Sequence, residues 1–301
     1  MMIIRVPATS ANLGPGFDVF GLALKLYLTV EVRLSDAGLQ IIHKGEGAGS
    51  VPTDERNLIW CTVAYIVGQE RRRLPHLTVE VNNNIPLARG LGSSAAAVVA
   101  GVLIADQVCG LNLSQDQQLT YALILEGHPD NITAALVGGL VACCVAEDGR
   151  CLYARVPVSA KIKAVLVVPE FELSTSKARA VLPKGYSRED AVFNLQRAAM
   201  MAAALKDAEP MLIGEAMRDR FHQPYRKDLI PGLQESLNLR GIPGLLGVSL
   251  SGAGPSILAL AVDNFTEIGQ HIQSNFARHS IQSKVMILDI EERGAEMSSK
   301  L

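Results

Sequence analysis

Apolar side chains alternate with polar ones from Leu22 to Leu34, placing Leu26, Leu28, Val30 and Val32 on one face of a predicted strand. Shorter runs predict strands at Met2–Val6, Leu39–His43 and Leu77–Val81. Between Pro7 and the long strand lies Ala8–Gly21, which is polar and glycine-rich and carries no periodicity. Helical spacing governs Asn57–Val67, and Asn82–Asn84 makes a turn ahead of Ile85-Pro86. The clearest helix follows Gly90-Leu-Gly-Ser-Ser94 and runs to about Cys109. Ser93 is its expected cap, and its side chains are apolar all round, which means burial. Ser114-Gln-Asp-Gln117 is a capping-box pattern opening a helix that reaches Glu126, and His128–Ala135 forms a further short helix. Val137–Val145 and Leu152–Val156 are the strands that close the first half.

The second half begins near Val156–Lys161. It reads as a strand at Val165–Pro169, helices at Ser187–Asp207 and Pro210–Phe221, and strands at Leu246–Leu250 and Ser256–Ala261 around a glycine loop. A helix at Phe265–Phe276, a strand at Lys284–Ile290 and a frayed tail from Glu291 to Leu301 complete it. Strands and helices mix without regular βα alternation, so the fold class is α+β, in two sandwich-like domains over 1–157 and 158–301.

Composition narrows the function classes. With 301 residues, 49% of them hydrophobic, the chain needs neither disulfides nor a metal to fold. A net charge of -2 gives no broad field for nucleic acid or anionic lipid. The five cysteines make no CxxC pair and read as reduced thiols. Arg5 and Pro7 interrupt the apolar run a signal peptide needs, and the most hydrophobic stretch, Ala95–Ala105, is far short of the roughly 20 residues of a membrane span. A cytoplasmic protein is expected.

Three glycine-rich segments and one polar cluster carry the candidate chemistry. In Arg89-Gly-Leu-Gly-Ser-Ser-Ala-Ala96, glycines let backbone N–H groups curl around an anion, and the following helix adds its unpaired donors and the positive end of its dipole. The lysine and spacing of a Walker A loop are missing, as is the third glycine of a dinucleotide fingerprint. A glycine turn in front of a core helix is the bland alternative. Ser251-Gly-Ala-Gly-Pro-Ser256 is a second such loop, equally readable as a tight turn. Glu126-Gly-His-Pro-Asp-Asn131 sets four polar side chains beside apolar elements, where burial without partners is costly. These groups suit a metal and an amino- or hydroxyl-bearing substrate, or a solvated turn.

Taken together, Pro7-Ala-Thr-Ser-Ala-Asn-Leu-Gly-Pro-Gly-Phe-Asp18 and its continuation to Leu24, the loop Gly90–Ala96, Glu126–Asn131 and Ser251–Ser256 resemble the homoserine kinases, a branch of the GHMP kinases. The resemblance runs from residue 3 to about 290. It implies a two-domain fold, the first domain resembling one of a ribosomal protein and the second ferredoxin-like, and it implies ATP-dependent phosphorylation of L-homoserine with Mg2+. By that resemblance Pro86, Arg89, Gly90, Leu91, Gly92, Ser93, Ser94, Ala95 and Ala96 take the ATP phosphates together with Ser251, Gly252 and Gly254. Asn57 lies near the adenine, and Ser94 and Glu126 hold Mg2+. Asn12, Asp18, His128, Asp130 and Asn131 surround homoserine, Asp130 staying ionised throughout. Thr175, Arg179 and Arg226 complete the substrate site, with Arg220 competing for the role of Arg226, because a guanidinium fork pairs bidentately with a carboxylate. Two departures stand out: the first motif has no lysine or arginine, and Asn131 occupies the place of the aspartate base of mevalonate kinase and galactokinase, which implies catalysis without a dedicated strong base. Ala134 stands where proline is common. A mevalonate-type kinase and a non-catalytic ATP-binding protein are the alternatives. No nucleic-acid or membrane partner is expected, and a homodimer is compatible with the sequence.

Overall fold

The computed structural model describes residues 1–299. In chain order its elements are β1 (Met2–Asn12), β2 (Gly16–Leu34), β3 (Gln40–Gly45), α1 (Leu58–Gln69), β4 (Leu77–Asn83), α2 (Ser93–Cys109), α3 (Gln115–Glu126), α4 (Pro129–Val137), β5 (Leu140–Val145) and β6 (Cys151–Val156). These are followed by β7 (Lys163–Pro169), α5 (Thr175–Ala180), α6 (Arg188–Ala204), α7 (Pro210–Ala216), α8 (Gln223–Arg226), α9 (Leu233–Leu237), β8 (Leu245–Leu250), β9 (Ile257–Ala261), α10 (Phe265–Arg278), β10 (Ser283–Leu288) and β11 (Glu296–Ser299).

The strands form two sheets. The first has the order β11-β1-β2-β4-β3, with β5 joined to the start of β2 and β6 joined to β5. The second has the order β10-β7-β9-β8. Helices α2 and α4 pack on β1 and β2, and α1 and α3 pack on α2, so α2 is enclosed as its uniformly apolar sequence requires. In the second sheet the period of two sorts the core. Ala164, Leu166 and Val168 of β7 join the larger cluster with Met201 and Ile213. Val165 and Val167 face the other way, onto Ile268, Ile272 and Phe276 of α10. Among the described residues no helix is long and apolar enough to cross a membrane.

Ala8–Gly21, without periodicity in sequence, is a β-hairpin rather than an irregular segment. β1 continues through Pro7, opposite Tyr27, with a register shift directly after it, an irregularity of the kind that admits proline within a sheet. From Val6 to Asn12 every residue is buried on both faces, which erases the alternation that would have marked the strand. Three element ends also differ from expectation. α2 begins after Gly92, which is left-handed (φ +67°), and has no side-chain cap, so Ser93 is its first helical residue. The strand expected from Val137 starts at Leu140, because α4 runs to Val137 and Gly138-Gly139 breaks the chain. α7 stops at Ala216 because the Asp219 carboxylate accepts from the N–H groups of Phe221, His222 and Gln223 and opens a new turn.

The tail expected to fray instead crosses back to the first sheet. Glu291 N donates to Ala23 O, Ala295 N donates to Leu136 O, and β11 pairs with β1. The last two residues of that tail lie outside the described residues.

Asn57, expected near the adenine, has a structural role of its own. It caps α1, accepting from Ile59 N (3.0 Å) and donating to Pro52 O (2.7 Å), and it is buried. Asn57→Ala is expected to lower the unfolding free energy by about 1–2 kcal/mol, the usual worth of such a cap. Nucleotide affinity, titrated on the folded variant, should stay at the parental value. A tenfold weaker nucleotide affinity at unchanged stability would return Asn57 to the adenine.

Candidate functional site

A cleft lies where the hairpin turn, the N-terminus of α2, the start of α4, α5 and the Ser251–Ser256 loop meet. Of the residues singled out from sequence it gathers all but Asn57, Ala95, Ala96, Arg220 and Ser251. Ala95 and Ala96 are wholly buried along α2, and Ser251 lies just behind the lining, where it joins the loops together. Its hydroxyl donates to Gly90 O (2.6 Å), with Ser10 Oγ at 2.8 Å. Gly252 N donates to Ala11 O, and Ser256 N donates to Arg89 O. This closeness demands glycine at position 90: a Cβ there would lie 2.1 Å from Ser251 O, and φ is +72°. The three glycine segments, far apart in sequence, thus form one surface at the first turn of α2. The leading N–H groups of that turn have no partner within the helix, and no side chain caps them.

Arg89 lines the cleft, but its guanidinium is committed elsewhere. It donates to Pro169 O (2.8 Å), to Leu87 O (3.1 Å) and to Glu170 O, clasping the glycine loop to the end of β7. Its hydrogen-bond partners are carbonyls, which residue type does not report, and the Glu172 carboxylate lies 3.6 Å from Nη1.

Across the cleft from Ser93 and Ser94 stands a charged cluster. Asp18, held at φ +58°, accepts both Nη groups of Arg179, at 2.6 and 3.2 Å. Its own N–H donates to Asn12 Oδ1, while Asn12 Nδ2 donates to Gly252 O. Arg226 is 1% exposed. It donates through Nε to Ala178 O and through Nη1 to Gly252 O and His222 Nδ1. Among the described residues no carboxylate lies within ion-pairing distance of it, and its Nη2 has no protein partner. Burial, and then the charge of Arg179, lower its pKa to about 10, so it remains a cation at neutral pH. Phe17 lies beneath both guanidiniums, 5.0 Å from Arg179 and 5.7 Å from Arg226. Arg220 is not in the cleft; it pairs with Asp190 and Glu189 on the outer surface. Thr175 reaches the cleft as the first residue of α5.

The Glu126–Asn131 segment supplies the third wall. Ser94 Oγ donates to Glu126 Oε1 at 2.6 Å. Burial raises the Glu126 pKa, the Ser94 bond opposes this, and no basic side chain within 4 Å neutralises the carboxylate among the described residues. Asn131 accepts from Thr9 Oγ1 (2.8 Å), which fixes its amide. His128 precedes α4 without a capping bond from its side chain, and its pKa is lowered by burial and by Arg179. Asp130, 2% exposed, is pushed up to about 7 by burial and then by the neighbouring charge of Asp18. Burial and Asp18 thus favour the protonated acid in the free cleft up to near neutrality, whereas the role expected from sequence, holding a substrate ammonium, needs the ionised carboxylate.

Sequence reasoning passed over Phe17 and His222. Phe17 lies inside the first motif and His222 four residues before Arg226, but an aromatic ring and a lone histidine carry no signal without the guanidiniums they touch.

The chain matches two family profiles, "GHMP kinases N terminal domain" over residues 57–139 and "GHMP kinases C terminal" over 201–277. It is similar to the homoserine kinase of Solibacter usitatus, 46% identical over 98% of this chain and 96% of the relative. It is also similar to that of Schizosaccharomyces pombe, at 40% identity over 97% of each chain. Among solved structures it superposes on a homoserine kinase from Cytophaga hutchinsonii with a TM-score of 0.86 and 32% identity, covering 99% and 97% of the two chains. An L. major mevalonate kinase crystallised with R-mevalonate shares the fold at a TM-score of 0.70 and 17% identity, covering 95% of each chain.

The Asp130 environment makes a signed prediction. A folded pKa near 7 against an unfolded 3.8 means the folded protein keeps a proton that the unfolded chain has released, so the stability of the parent falls as pH rises through that window. Asp130→Asn removes the titration. In urea unfolding at pH 5, 6 and 7 the variant should gain on the parent by about 1 kcal/mol or more across the series. A constant difference would mean that Asp130 is ionised throughout, as the sequence suggested.

Proposed function

The chain belongs to the GHMP kinases, in their homoserine kinase branch, and on that premise we infer that this cleft transfers the γ-phosphoryl group of ATP to the side-chain hydroxyl of L-homoserine. The observation that carries the reading is Arg226, a buried cation lining the cleft with no anionic partner, beside an Asp18–Arg179 pair that faces the same space. Asp219 and Asp18 offset the Arg226 charge only from beyond ion-pairing distance, a buried charge without a paired anion is costly, and a ligand carboxylate relieves it. An α-amino acid brings a carboxylate and an ammonium together. Its carboxylate meets Arg226 and Arg179, its ammonium meets Asp18 and Asp130, and the internal ion pair is exchanged for two with the ligand. Mevalonate offers only the carboxylate and would leave Asp18 unpaired.

At the opposite end, the free N–H groups of α2 and the glycine surface bind the phosphates as backbone dipoles fixed in advance. Ser94 and Glu126 fit Mg2+. Glu126 is a partly buried carboxylate without a cation, and the described residues contain no cluster of three or more acidic, histidine or cysteine ligands, so phosphate oxygens and water must complete the shell, as is usual for this ion. When bound, the ion neutralises phosphate charge. Between the two ends Asn131 is an amide locked by Thr9 and cannot accept the hydroxyl proton. A loose transition state lets that proton leave late, to a phosphate oxygen, so positioning does most of the work.

The reading is tested by ADP release with homoserine, mevalonate and galactose as acceptors. Turnover is expected with homoserine, and faster turnover with mevalonate would overturn it. Glu126→Gln is expected to fold normally and lose roughly tenfold or more of its rate at limiting Mg2+, with partial recovery as Mg2+ is raised. Parental turnover at limiting Mg2+ would remove Glu126 from the metal site.

A further inference from the structure

One buried titratable group beside the cleft has no part in the reaction outlined above. His222 is fully buried, yet both ring nitrogens are within hydrogen-bond distance of partners. Nδ1 lies 3.0 Å from Arg226 Nη1, and Nε2 lies 2.7 Å from Gly14 O. A guanidinium can only donate and a carbonyl can only accept. The imidazole is therefore neutral, with its proton on Nε2, accepting from Arg226 through Nδ1 and donating to Gly14. Protonating Nδ1 would set one donor against another. Asp219 Oδ2, 3.6 Å from Nε2, does not compete for that proton, because its carboxylate already accepts from the backbone of Phe221, His222 and Gln223 and from Asn194 Nδ2. Phe17 packs on the imidazole, ring centroids 5.4 Å apart and tilted by 32°, as well as on the two arginines.

We infer that His222 is a positioning residue for Arg226: by accepting from Nη1 on the side away from the cleft, together with Gly252 O, it fixes the guanidinium plane so that Nη2 is presented to the substrate carboxylate. This rests on Arg226 being a carboxylate ligand. Three donor groups of the arginine are directed by Ala178 O, Gly252 O and His222, and only the last of these is a side chain that mutation can remove. Gly14, which receives the other end of the imidazole, sits in the tip of the β1–β2 hairpin, so the same ring couples the Asp18 turn to the arginine across the cleft.

The test uses three substitutions in the full chain, with steady-state kinetics for homoserine and ATP. His222→Phe keeps the volume and removes both polar atoms. His222→Gln keeps a donor for Gly14 but loses the acceptor at the Nδ1 position. His222→Asn keeps that acceptor. The Michaelis constant for homoserine is expected to rise about tenfold or more in the Phe and Gln variants, as for loss of a hydrogen bond to a charged group, and to return to within about threefold of the parent in the Asn variant. The maximal rate and the Michaelis constant for ATP should change by less than about threefold throughout. In an Arg226→Lys background His222→Phe should add nothing further. If the Asn variant is no better than Gln, or if the constant for ATP rises in step, His222 is merely structural and the inference fails. If the Phe variant does not fold, the Asn and Gln variants decide alone. If Arg226→Lys leaves homoserine saturation unchanged, the carboxylate assignment itself is what has failed.

Discussion

A guanidinium buried without an anion to answer it, that of Arg226, is the constraint around which this cleft is arranged. Such a charge is tolerated only where its donors are satisfied by fixed acceptors. Here those acceptors come from α5, from the Ser251–Ser256 loop and from the Asp219–His222 turn. Each is held in turn by something distant. Gly252 is bonded to Ala11 and Asn12 of the hairpin, and the Asp219 carboxylate gathers three backbone N–H groups and Asn194. Displacing any one of these segments would leave a buried cation unsupported, so the geometry of the charged end follows from one energetic requirement.

The two ends of the cleft work by different physics. Backbone dipoles at the start of α2, with no lysine or arginine free among them, face the space assigned to phosphate. Arg89, the basic residue of that loop, is tied to carbonyls at the end of β7. Formal charges dominate the other end, where two guanidiniums share the face of Phe17 with one carboxylate between them. That imbalance favours a net anionic head, while Asp18 and Asp130 favour a cationic one. A zwitterion answers both.

Much of this was legible in the sequence, and the failures have physical causes. Period-two alternation located β2 because it presents distinct faces, while the strands of the second sheet showed as short apolar runs between turn residues. The β1–β2 hairpin was invisible because burial on both sides removes alternation. Ser114 read correctly as a capping box because the partner, Gln117, is local. Ser93 did not read correctly as a cap, because a left-handed Gly92 took the position and left the helix end bare. For the site, the resemblance of the motifs names Asp18, Glu126, Asp130, Arg179 and Arg226, and all five line one cleft. The roles of Arg89 and His222 depend on carbonyls distant in sequence, Pro169 O and Gly14 O, which their local sequence does not report, whereas the partners of Asn57 are local.

The free cleft holds an ion pair that only a zwitterion exchanges well. Calorimetric titration of the parent protein with L-homoserine, 4-hydroxybutanoate and 3-aminopropan-1-ol tests it directly, since the second lacks the ammonium and the third the carboxylate. The account predicts that each analogue binds about a hundredfold more weakly than homoserine, because each leaves a buried charge unanswered. If 4-hydroxybutanoate binds within a few-fold of homoserine, Asp18 and Asp130 do not read the ammonium, and the paired-charge description of the cleft is wrong.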